Sequence, residues 1–201
     1  MFDSLAPSIF DRRVDPAVFA GGTSVTIGNF DGVHIGHQKL LDMACSYAEA
    51  DRNPHHKTVV LTFDPHPSAY FSGQPVALIE SIDQRIVRLR RYEAKATHTD
   101  ARSLRPQCRC IDDVFVIQFD KQAASITADS FVDDYLIGRL NIKHLVVGYD
   151  FCFGKGREGT IEYLADRMTQ GAFKLDVVGP VKSAKNTKKE KQEKAVSSSR
   201  I

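Results

Sequence analysis

Residues 24–37 read SVTIGNFDGVHIGH: an apolar run, a polar loop punctuated by glycines, and the first letters of a helix. The reading of this stretch decides the fold. A short β-branched run bounded by glycine predicts a strand over 24–28, buried on both faces. Beyond it, Leu40, Leu41, Ala44 and Ala48 recur at spacings of three and four, which predicts a helix over 36–50. Strand, tight loop and helix form the first unit of a parallel α/β sheet, with the loop leaving the carboxyl end of the strand. The composition of the loop suits an anion. Gly28 lets a ligand come close to the strand end, Gly32 and Gly36 permit tight turns, and the helix start offers unpaired N–H groups with the positive end of its dipole. His34 and His37, three residues apart, can face one ligand there, and a nearby phosphate would favour their charged forms. Two histidines alone would read as surface residues; glycines on both sides and a place just after a strand turn the reading toward a phosphate grip.

The alternation continues along the chain. TVVLTF (58–63), DVFVIQF (113–119), HLVVG (144–148) and FKLDVV (173–178) are further strand candidates. Between them, 81–93 opens with Ser81 and Gln84 spaced as a capping box, and 128–140 carries Phe131, Val132, Tyr135 and Leu136. A last helix is expected after Thr160, with Ile161, Leu164, Ala165 and Met168 on one face and a stop at Gly171. The expectation is an α/β fold: a Rossmann-like parallel sheet of about five strands with helices on both faces. Residues 94–112, with Arg102, Arg105 and Arg109, fall outside the pattern, as does the lysine-rich stretch 182–196, which reads as a mobile surface loop.

A length of 201 residues bounds the chain to one domain, 1–201, with its core over about 22–181. No apolar run reaches the roughly 18 residues that span a bilayer, and the N-terminus has no basic segment followed by an apolar one, so the expected setting is cytoplasmic and off the membrane. A net charge of +2 is too small to suggest nucleic acid across the whole surface. Cys45 falls in a helical pattern as a small core residue, and the Cys108–Cys110 pair lacks a second pair at zinc spacing. Reduced thiols are therefore expected.

Chemistry should collect where the loops leave the carboxyl ends of the strands. Besides the first loop, FDPHP (63–67) and GYDFCFGKGREG (148–159) leave that edge, and generic connections would not need aspartate, histidine and aromatic residues at each exit. In FDPHP two prolines stiffen the backbone around His66, either to end the strand or to present His66 and Phe63 to a planar ligand. Gly154, Gly156 and Gly159 match the dinucleotide fingerprint, yet Tyr149 to Phe153 stand between them and the strand, and the loop leaves the fourth strand instead of the first. They read better as a flexible loop over a ligand. No Walker A sequence occurs. His55, His56, His98 and His144 are assigned no role, and no Ser/His/Asp arrangement is expected. The terminal VSSSRI (196–201) offers hydroxyls and Arg200, which suit phosphate oxygens.

Taken in order, TIGNFDGVHIGHQKLL, LTFDPHP, VVGYDFCFGKGREGT and VSSSRI resemble the adenylyltransferase module of bacterial FAD synthetases, within the nucleotidylyltransferases. The likeness spans roughly 24–201. It implies transfer of the adenylyl group of ATP to FMN, giving FAD and pyrophosphate, with Mg²⁺ held mainly by the ATP phosphates. By resemblance, His34 and His37, with Gly28, Asn29, Phe30, Asp31, Gly36 and Gly148, would serve ATP, and Ser197, Ser198, Ser199 and Arg200 would form a second phosphate motif. Phe63, Asp64, Pro65, His66 and Pro67, together with Asp150 and Phe153, would serve the flavin. The expected partners are small nucleotides alone, with a monomer as the default. Nothing after Ile201 matches the riboflavin kinase module that usually accompanies this one, so kinase activity is not expected. Rival readings are a sister nucleotidylyltransferase with another phosphate acceptor, a non-catalytic flavin-nucleotide binding module, and an aminoacyl-tRNA synthetase, whose adenylation loop is also His-Ile-Gly-His.

Overall fold

A computed structural model describes residues 15–51, 53–94 and 110–180. Five parallel strands form one sheet: β1 (Thr23–Ile27), β2 (Lys57–Asp64), β3 (Asp113–Gln118), β4 (Ile142–Gly148) and β5 (Lys174–Val178). Their spatial order is β3-β2-β1-β4-β5, so the direction of winding reverses between β1 and β4. A crevice opens at that reversal, outside the carboxyl ends of the strands. The parallel sheet and the helices on both of its faces agree with the expectation from sequence.

Side-chain alternation along the strands sorts the core into two layers. Val25, Ile27, Val59, Leu61, Phe115, Ile117, Leu145 and Val147 pack on one face. Against them lie Phe131, Val132 and Leu136, and Leu164 of α6 (Ile161–Thr169). Val60, Val114 and Val146 point to the other face, which is covered by α1 (Ile35–Ala50) and α3 (Ile82–Arg90). In α1, Leu40, Leu41, Ala44, Cys45 and Ala48 supply the buried stripe, and the helix begins where His34 accepts the backbone N–H of His37. α3 begins with the expected capping box, Ser81 with Gln84.

Three features depart from the sequence reading. Two short helices were not anticipated, α2 (Pro67–Ser72) and α4 (Lys121–Ser125). The expected helix over 128–140 is one turn, α5 (Ala128–Ser130), continued by a π-helix, Phe131–Ile137, in which Gly138 bonds back to the Asp133 carbonyl and Leu140 to that of Tyr135. And Cys45 is not a reduced thiol: it forms a disulfide with Cys110, the Cα atoms 5.5 Å apart, tying α1 to the segment that enters β3. Periodicity assigned Cys45 to the core correctly, but nothing local announces a partner 65 residues away.

Candidate active site

The loop after β1 is a chain of left-handed residues. Phe30 (φ 52°), Gly32 (φ 67°) and Val33 (φ 42°) all lie there, and for a β-branched residue such a conformation is a true outlier. Strain of this kind persists only where the surroundings over-determine it. Here two contacts do so. The Phe30 ring is fully buried, 5.1 Å from the His37 ring. The Asp31 carboxylate accepts the backbone N–H groups of Ile79 (2.9 Å) and Glu80 (3.0 Å), fastening the loop to the start of α3. Burial alone would raise the Asp31 carboxyl, but those donors, with Arg85 and His37 nearby, hold it below its ordinary value. Phe30 and Asp31, expected at ATP, therefore stand behind the loop: neither lines the cavity described below.

His34 and His37 are stacked, ring centroids 3.6 Å apart and 19° from parallel. Because His34 Nδ1 accepts the His37 N–H at 3.3 Å, the neutral ring carries its proton on Nε2 and keeps a donor free. Burial lowers the His37 imidazole to about 4, helped by His34 and by Arg85 and opposed by Asp31. His37 is thus neutral at pH 7, and its Nδ1 is enclosed with no partner among the described residues. A ring in that condition gains a hydrogen bond and a counter-charge when an anion arrives.

A cavity of about 790 Å³ opens beside this pair, at the β1/β4 reversal. Gly28, Asn29, His34, Gly36 and His37 line one end, with Gly148, Tyr149 and Asp150 across from them. The other end is aromatic. Phe63 and Pro67 from the β2 exit, Phe71 of α2, and Phe119 after β3 meet there, Phe63 and Phe71 standing edge-on to Phe119 at 5.9 and 5.6 Å. Phe131, Phe151 and Phe153 complete the wall, with Phe151 and Phe153 stacked at 5.5 Å. His66 caps α2 by accepting the Ser68 N–H through Nδ1, and burial, with Arg85, lowers its imidazole against the opposing pull of Asp31.

The loop over 148–159 is firmly built, contrary to its reading as flexible. Phe153 and Gly159 exchange both backbone hydrogen bonds, the Lys155 N–H donates to the Ile126 carbonyl at 2.7 Å, and Glu158 accepts the Ala128 N–H at 2.8 Å. Gly154 (φ 74°) allows the close approach: a Cβ there would lie 2.8 Å from the Ala128 nitrogen.

Of the residues singled out in the sequence, Gly28, Asn29, His34, Gly36, His37, Phe63, His66, Pro67, Gly148, Asp150 and Phe153 come together around the cavity. Asp64 and Pro65 turn the chain beside it. Ser197, Ser198, Ser199 and Arg200, and the lysine-rich 182–196, lie outside the described residues. Phe71, Phe119 and Arg157 line the cavity without having been anticipated: Phe71 and Phe119 sit outside the quoted loop motifs, and Arg157 sits within GYDFCFGKGREG but was given no role. A Ser/His/Asp arrangement, which was not expected, does occur at the amino ends of the strands. His56 Nδ1 lies 2.6 Å from Asp51 and its Nε2 lies 2.9 Å from Ser24. It is a structural clasp: Ser24 is fully enclosed and does not line the cavity beside His34 and His37. Beside it, buried His144 bonds to Asp176 at 2.6 Å.

A family model described as FAD synthetase matches residues 18–199. The bifunctional riboflavin kinase/FMN adenylyltransferase of Escherichia coli strain K12 is 37% identical over 139 residues, covering 69% of this chain and 38% of that protein. Its counterpart from Bacillus subtilis strain 168 is 30% identical over 179 residues, covering 88% and 47%. The chain therefore spans less than half the length of these relatives. A solved structure of a macrolide-efflux protein from Streptococcus pneumoniae overlays with a TM-score of 0.60 at 27% identity, covering 82% of this chain and 48% of that one. Among the described residues, no helix of this protein is long and apolar enough to cross a membrane.

Proposed function

We propose that this chain, which belongs to the FAD synthetase family, transfers the adenylyl group of ATP to the phosphate of FMN, giving FAD and pyrophosphate. The observation that carries the reading is the two-ended cavity: the paired histidines and glycines at the start of α1 open without interruption into an aromatic slot. Its volume of about 790 Å³ suits a pair of nucleotides that must meet end to end.

An oxygen of the FMN phosphate forms the new bond to the α-phosphorus of ATP, and the bond from that phosphorus to the bridging oxygen breaks in line, releasing pyrophosphate. The attacking oxygen is already ionised at neutral pH, so no proton need be abstracted. Catalysis is then alignment and charge stabilisation. The Nε2–H of His34, the His37 ring and the free N–H groups at the start of α1 meet the triphosphate. Phe63, His66, Pro67, Phe151 and Phe153 hold the flavin in the aromatic slot. Ser197, Ser198, Ser199 and Arg200 are proposed to complete the grip on the phosphates.

Magnesium, on this reading, arrives with ATP. Among the described residues no cluster of three or more His, Cys, Asp or Glu could hold a metal, and Asp150 is the one carboxylate lining the cavity. A single carboxylate with substrate phosphates fits Mg²⁺, which keeps most of its waters. Bound there it would neutralise charge on the phosphate oxygens, and Asp150 would fix its side of the cavity.

The test is incubation with FMN, ATP and Mg²⁺ followed by chromatographic separation of flavins. FAD accumulating in step with pyrophosphate is expected. FMN bound but unconverted would overturn the catalytic reading in favour of a binding module.

A further inference from the structure

Arg85 has no part in the chemistry above, yet it is the largest side chain fully enclosed among the described residues. It stands in the middle of α3 at 1% exposure. Its Nη1 donates to the Phe63 carbonyl at 3.1 Å and reaches the Thr62 hydroxyl at 3.4 Å. Its Nε is buried with no partner, and among the described residues no carboxylate forms an ion pair with the guanidinium. Its charge is felt by Asp31, but the oxygens of that carboxylate are already taken by the Ile79 and Glu80 N–H groups. An enclosed cation without an anion is among the most expensive features a fold can carry. Its position suggests what offsets that cost. The Thr62 hydroxyl it touches donates to the Asn29 carbonyl at 3.0 Å, and its charge acts on both His37 and His66. Arg85 therefore lies under the floor of the cavity, between the exits of β1 and β2.

We propose that Arg85 is a positioning residue and a fixed counter-charge for the phosphate groups bound in the cavity: it braces Asn29 and Phe63 from below, and its missing anion is the substrate phosphate between His37 and His66. The inference deepens the adenylyl-transfer reading and rests on it for the identity of the phosphate. The bare charge complementarity stands independently. A purely mechanical brace would predict damage to folding and to every ligand alike, whereas a counter-charge predicts selective loss of phosphate binding.

The experiment uses inorganic pyrophosphate as the probe, titrated calorimetrically into wild type, Arg85→Met, Arg85→Gln and Arg85→Lys, with thermal unfolding as the check on folding. Arg85→Met and Arg85→Gln are expected to bind pyrophosphate about tenfold more weakly and with a shallower salt dependence, the scale of one partly screened charge pair. Arg85→Lys keeps the charge and should stay within about threefold of wild type. Riboflavin, which has no phosphate, should bind all four proteins alike. Should Arg85→Met not fold, Arg85→Gln, which keeps a donor for the Phe63 carbonyl, decides. A folded uncharged variant that binds pyrophosphate as wild type does would overturn the proposal, and so would a lysine variant as weak as the methionine one. Wild type that binds pyrophosphate but yields no FAD would refute the proposed function while leaving this comparison valid.

Discussion

A phosphate bound beside the start of α1 should pull a proton onto His37, and the amount can be worked out. Burial and the stacked His34 ring set the imidazole of the protein alone at about 4, against an ordinary 6.5. A multiply charged phosphate against that ring reverses the balance; returning it merely to its ordinary value is a change of about 2.5 units, or about 3.4 kcal/mol of linkage between protonation and binding. At pH 6 about 1% of the unliganded proteins would then carry the proton and about three-quarters of the liganded ones, an uptake of about 0.75 proton per ligand. The assay is calorimetric titration of pyrophosphate in two buffers of different ionisation enthalpy, with His37→Asn as the background for the ligand's own titration. Wild type should exceed the variant by that uptake at pH 6, and its affinity should rise as pH falls from about 7.5 toward 5. The sign for the unliganded protein is opposite. Its folded-state pKa is depressed, so stability is complete above about pH 6.5 and declines toward pH 4, by less than about 3 kcal/mol because the ring is partly solvated. Equal proton uptake in wild type and His37→Asn would refute the reasoning.

Three further outcomes are expected. His37→Ala should lower kcat for FAD formation by about a hundredfold or more, the loss of one donor to transition-state charge, while FMN affinity measured by flavin fluorescence changes little; equal losses in both would make the ring structural. Asp31→Ala frees the N–H groups of Ile79 and Glu80 and should cost about 1–3 kcal/mol in chemical unfolding, and an unchanged midpoint would show that water replaces the carboxylate. Gly154→Ala places a Cβ against the Ala128 backbone at a positive φ, so KM for FMN should rise severalfold with KM for ATP nearly constant in steady-state kinetics.

The strands were legible because buried parallel strands are continuous apolar runs, and TVVLTF or HLVVG can be little else. His34, His37, Phe63 and Phe153 were legible because motif and strand end coincide. Phe30 and Asp31 were harder, since a loop motif contains both the residues that face a ligand and those that hold the loop, and spacing alone does not sort them. The ring of Phe30 is turned inward by a left-handed backbone that no sequence pattern announces. Helix α2 was hidden by brevity, and the π-helix after Ser130 keeps an apolar face that an α-helical period also fits. Long-range pairs left no trace at all: Cys45 with Cys110, His56 with Ser24, and Arg85 beneath the β2 exit are products of topology.

The reversal of the sheet between β1 and β4 has a kinetic consequence. Thr23 pairs with Ile142, so the seam joins the first strand to the fourth, while β1–β2 and β4–β5 each form over much shorter separations. The loop carrying His34 and His37 follows β1 and the Phe151–Phe153 wall follows β4, one on each side of that seam. Each half can gain native helix and strand before the seam closes, and closing it carries the largest loop entropy in the fold. During refolding from denaturant, helical signal should therefore return ahead of the ability to bind a nucleotide, which reports the completed seam.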